Sequence, residues 1–139
     1  MEQSFGTFSK LKEKNYRTYS MDLCGRKLCV DIGRMSAQAN GACYMHYGDT
    51  TLLATATASK APREGIDFFP LSVEYEEKYY AVGKIPGGYN KREGKASEHA
   101  ILTGRVIDRP MRPLFPKDYR NDVLLDDMVT SVDPECPPE

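Results

Sequence analysis

The sequence predicts a sheet-rich α+β fold. Three observations point there: repeated period-2 alternation of apolar and polar residues, a two-residue Gly48-Asp49 break between two such segments, and one helical stripe after Ser97. Residues 17–23 and 27–33 read as strands around a Cys24-Gly25 turn, because Leu28, Val30 and Ile32 alternate with Lys27 and Asp31. Residues 42–47 and 50–57 flank Gly48-Asp49, a pair suited to the positive φ angles of a tight hairpin, so a β-meander opens the fold. Ala54, Ala56 and Ala58 share one face of the second arm, where a bulky group can approach closely.

Residues 59–67 form a loop. Leu71, Val73 and Tyr75 then alternate with Ser72, Glu74 and Glu76, a strand with one wet face. Glycines and Pro86 break residues 81–94 into a long loop. Ser97 is placed to cap a helix over 98–108, with Glu98 in its first turn and Pro110 disfavouring continuation. A strand over 122–132 closes the pattern. One helix cannot cover so many strands, so the pattern predicts a domain that is incomplete at its C-terminal end.

The chain has 139 residues, 40% of them hydrophobic and 28% charged, which suits one domain and excludes a fibre or a disordered tail. No apolar run approaches the ~20 residues of a bilayer span, and residues 1–20 lack the apolar centre of a secretory signal, so a cytoplasmic location is expected. Cys24, Cys29, Cys43 and Cys136 form no zinc-ribbon spacing and read as reduced thiols. The net charge of -1 hides an asymmetry: residues 78–120 hold ten basic and four acidic residues, +6, which leaves -7 elsewhere. Such a segment is either a solvated basic face or an attractor for a polyanion.

Several chemistries are excluded by the motifs that the sequence lacks. Gly94-Lys95-Ala96 fails as a phosphate-binding P-loop because Tyr89 and Ala96 stand at required positions. There is no nucleophile elbow and no paired-histidine zinc helix, and the carboxylates form no acid/base pair. What remains is basic and aromatic. Tyr89, Lys91 and Arg92 sit on a glycine-flanked loop, a combination that stacks a base and neutralises phosphates. Arg105, Arg109 and Arg112 follow at intervals of four and three, either facing phosphate or, through Asp108, closing a salt bridge with Arg105 or Arg112. At the helix exit Arg109 is expected to satisfy terminal carbonyls or carboxylates.

Asp67-Phe68-Phe69-Pro70, the run from Ala81 to Tyr89, Lys91-Arg92-Glu93-Gly94 and the run from Ile107 to Pro116 together resemble the bacterial polynucleotide phosphorylases. The resemblance identifies residues 18–139 with their first ribonuclease PH-like core domain, behind a polar extension at 1–17, and implies the two-layer arrangement of that α+β fold, a sheet with helix on one side. It implies a phosphate-dependent 3' to 5' exoribonuclease that degrades single-stranded RNA to nucleoside diphosphates. Inorganic phosphate is then the nucleophile, so no catalytic side chain is expected here. It also implies a homotrimeric ring and a Mg2+ ion held by residues outside this segment. Tyr89, Lys91 and Arg92 match the family's RNA-gripping loop by type, whereas Asn90 replaces its second aromatic. An independent RNA-binding module and a non-catalytic, exosome-like ring subunit are the alternatives.

Overall fold

The computed structural model describes residues 16–85, 87 and 96–138. Six strands form one sheet: β1 (Arg17–Leu23), β2 (Arg26–Ile32), β3 (Gly41–Tyr47), β4 (Thr50–Ala58), β5 (Leu71–Glu77) and β6 (Val123–Ser131). Their spatial order is β1-β2-β3-β4-β6-β5. The meander is as expected, and its turns show why. Cys24 and Gly25 both have positive φ, as a two-residue connection of matching twist requires, and Gly48 takes φ +60° at the next hairpin. A Cβ on Gly48 would lie 2.9 Å from Asp133 Oδ2, so close packing as well as backbone geometry demands glycine.

The last strand is not an edge. β6 inserts between β4, to which it is antiparallel, and β5, to which it is parallel. A parallel neighbour requires a crossover, and helix α1 (Glu98–Met111) supplies it. α1 runs past the predicted end at Asp108, through Pro110. Proline lies in the last turn, and the Arg112 N–H still bonds the Asp108 carbonyl, after which a 3-10 turn (Arg112–Leu114) ends the segment. Sequence alone placed the stop one turn early because the breaker acts only on bonds behind it.

Across the sheet, Leu52, Val123, Leu125, Val129, Val73 and Tyr75 point to one face. α1 lies on that face over β5, and Tyr75, Ala100 and Val129 form the buried centre, with Leu52, Ala81, Ile107 and Val132 against it. Gly104 permits the close approach, since a Cβ there would meet the Val73 carbonyl oxygen at 3.3 Å.

Candidate nucleic-acid interface

Residues Tyr89, Lys91 and Arg92 lie outside the described residues. The three arginines downstream are described, and the structure separates their roles. Ser97 Oγ accepts a hydrogen bond from the Ala100 N–H at 3.1 Å, and Glu98 occupies the first turn, so the helix begins where the cap predicts. Ala100, Gly104 and Ile107 then turn inward, which leaves Arg105 and Arg109 on the exposed side, one turn apart. No described residue forms a salt bridge or hydrogen bond with either.

Arg112 is committed elsewhere. Its Nε donates to Asp108 Oδ2 at 3.2 Å and its Nη2 to Asp108 Oδ1 at 2.6 Å, the two-pronged pairing of a guanidinium with a carboxylate. The same group donates to the carbonyls of Phe69 (3.1 Å) and Leu71 (3.3 Å). It therefore ties the end of α1 to the start of β5. The role expected of Arg109 at the helix exit belongs to Arg112, because the helix runs one turn further than Pro110 suggested. Phe69, Phe115 and Tyr119 stack beside this clamp with centroids 4.8 to 5.7 Å apart, and Arg112 stands 5.8 Å over Phe69. Two motifs far apart in sequence thus meet in one scaffold.

Between α1, β5 and the 3-10 turn Tyr79–Val82 lies an open cleft of about 930 Å³. Arg105, Lys78 and Lys84 line it beside Glu76, Glu77 and Asp108. Glu74, Asp126 and Arg112 line it too, so its charge is mixed; within it Lys78 is paired with Glu76 at 2.6 Å and Asp108 with Arg112. Among the described residues no three His, Cys, Asp or Glu side chains gather as metal ligands, and no helix is long and apolar enough to cross a membrane.

Three further polar sites were not foreseen. Asp31 is buried, and although burial works against its charge, hydrogen bonds from Thr18 (2.6 Å) and Arg34 (2.9 Å) hold its carboxyl below the ordinary range. Arg26 clasps the C-terminal turn through Asp133 (3.2 Å), Glu135 (2.7 Å) and the sulfur of Cys136 (2.7 Å). Asp127 sits on the apolar face of β6, where burial and then the neighbouring Asp126 charge push its carboxyl up to about 6. Strict alternation was the available signal for Asp127, since it falls in phase with Val123, Leu125 and Val129.

The chain is 77% identical over 124 residues to the polyribonucleotide nucleotidyltransferase of Lachnoclostridium phytofermentans, a match covering 89% of this chain and 18% of that protein. Proteins of the same name from Ruminiclostridium cellulolyticum (61% over 124 residues, 89% and 18%) and Heliobacterium modesticaldum (58% over 123 residues, 88% and 17%) are also similar. The chain thus spans under a fifth of the length of these relatives. The ribonuclease PH family, described as the 3' exoribonuclease family, domain 1, matches residues 25–136, a stretch that runs from the first turn of the meander, through α1 and its arginines, to the clasp held by Arg26; the chain belongs to that family.

Proposed function

We propose that this chain contributes RNA grip and ring contacts to a phosphate-dependent 3' to 5' exoribonuclease, a cytoplasmic homotrimer that converts single-stranded RNA to nucleoside diphosphates. The observation that carries the reading is the pair Arg105 and Arg109, exposed one turn apart on a helix whose opposite side is anchored to the sheet. Neither guanidinium is spent within the described fold, so both can meet successive phosphates, and the buried side of α1 fixes their direction. Tyr89, Lys91 and Arg92, in the segment of sequence before the helix, would add stacking and charge. Arg112 positions the helix end and contributes to RNA contact indirectly. Membership of the exoribonuclease family and the relatives' shared name support the choice of RNA over other polyanions.

Phosphorolysis asks for a phosphate nucleophile held in line with the RNA end, and for charge neutralisation at the scissile phosphate. The described residues do not fit a Mg2+ site: Asp126 and Asp127 are adjacent but point to opposite faces of β6, and no third ligand joins either. The metal and the phosphate pocket are assigned to other parts of the enzyme, and this chain's share is to hold the strand.

RNA binding by the chain, followed across salt concentration, tests the reading. Replacing Arg105 and Arg109 with Ala removes two phosphate contacts and should flatten the slope of log K against log salt by about 1.4, at roughly 0.7 per single-strand contact. An unchanged slope removes α1 from the RNA path.

A further inference from the structure

Asp108 lies between two arginines on one side of α1, with Arg105 one turn before it and Arg112 one turn after. Helical spacing puts either guanidinium within reach of the carboxylate, and the structure selects one. Arg112 donates to both oxygens, through Nε at 3.2 Å and Nη2 at 2.6 Å. Arg105 donates to neither, although it lines the same cleft as Asp108.

The preference has a physical cause. Arg112 is already fixed from the other side, because Nη1 and Nη2 donate to the Phe69 and Leu71 carbonyls and the guanidinium stands 5.8 Å over the Phe69 ring. A group held in this way loses little further side-chain freedom when it pairs, whereas Arg105 would lose its own for one helical contact, in the less favourable order of cation before acid. Asp108 also belongs to the last turn of α1, where the carbonyl end of the helix opposes negative charge, so a carboxylate there draws on a cation within reach. Arg109 is not a competitor, because adjacent residues on a helix do not face each other.

We propose that Arg112 is a positioning residue for RNA binding: by occupying Asp108 it keeps that carboxylate off Arg105, whose guanidinium is then left to meet a phosphate. The proposal rests on the assignment of Arg105 and Arg109 to the RNA path. Carboxylate and phosphate oxygens suit the same guanidinium fork, so Asp108 is a built-in competitor of RNA for Arg105, and Arg112 takes it out of the competition. Once the charge at 112 is removed, Asp108 pairs with Arg105 and RNA loses one contact.

Arg112→Gln tests this, since its amide still donates to a carbonyl while the charge is gone. In RNA binding by the chain across salt concentration, the slope of log K against log salt should fall by about 0.7, as it should for Arg105→Ala. In an Arg105→Ala background, Arg112→Gln should bring no further fall, because the guanidinium that Asp108 would take is already absent. Arg112→Lys keeps a cation beside Asp108 but loses the forked bonds to the carbonyls, so it should melt earlier yet bind RNA within about twofold of the unaltered chain. RNA binding that falls in step with the melting shift in both Arg112 variants would mark a role in folding alone and overturn the proposal. Equal falls from Arg112→Gln with and without Arg105 also overturn it. Should circular dichroism show Arg112→Gln unfolded, Asp108→Asn decides: with its charge already occupied, its loss should change RNA affinity by less than about twofold, and a larger tightening would mean that Asp108 restrains Arg105 even beside Arg112. A slope indifferent to replacing Arg105 and Arg109 together overturns the RNA reading and this proposal with it, whereas a slope that falls in that double variant but not in Arg112→Gln overturns this proposal alone.

Discussion

One sheet face is built in two ways. Over β5 and β6 it is closed: α1 packs on it, Val129 is 0% exposed, and Tyr75 and Ala100 are buried beside it. Over β1 to β3 the same face is open, with Met21, Leu23 and Ile32 among the exposed large apolar side chains. The strands of both halves alternate equally well, so alternation reports which side chains share a face and says nothing of whether that face is covered. Coverage depends on where the crossover helix lands, and Gly104 against the Val73 carbonyl decides that.

The contrast breaks first under truncation. Tyr75→Ala removes a buried ring from the closed half and should cost about 3–5 kcal/mol, whereas Ile32→Ala on the open half should cost under about 1 kcal/mol. Urea denaturation of the two variants reads the difference directly, and similar midpoints would show that the closed half is no better packed than the open one.

Asp127 lies on the border between the halves and should make stability depend on acid. Its carboxyl is raised in the folded chain from 3.8 to about 6. Below about pH 4 both folded and unfolded chains hold the proton and there is no penalty. As pH rises towards and through 6 the folded chain must ionise a buried group, so stability falls, by up to about 3 kcal/mol at 1.36 kcal/mol per pH unit. Asp127→Asn should remove this fall and leave the variant the more stable chain at neutral pH. Thermal midpoints of both proteins between pH 4 and 7 measure it, and parallel curves would contradict the burial of the charge.

A smaller effect separates the arginines. Arg112→Ala loses the clamp to Asp108, Phe69 and Leu71, and because the side chain is partly exposed the cost should be about 1–2 kcal/mol. Arg109→Ala should change stability by no more than about 0.5 kcal/mol. Equal melting shifts would return the structural role to Arg109.

Much of the fold was legible because its signals are local. The meander announces itself through alternation and through Cys24-Gly25 and Gly48-Asp49, and α1 through Ser97, since turns and caps are decided by residues within a few positions. The arginine spacing was equally visible. Its division of labour was not, because Arg112 acts through the backbone of Phe69 and Leu71, about forty residues earlier in the chain.

By itself the sequence determined which residues alternate, where the chain turns, how the charge is segregated and which family's motifs it carries. Only the tertiary structure decided that β6 enters the middle of the sheet and that Asp127 faces an apolar layer with no described partner. Strand order is a choice among long-range pairings that leave local propensity unchanged. The same alternating segment serves as edge or centre, and the surroundings of its charged residues follow from that choice.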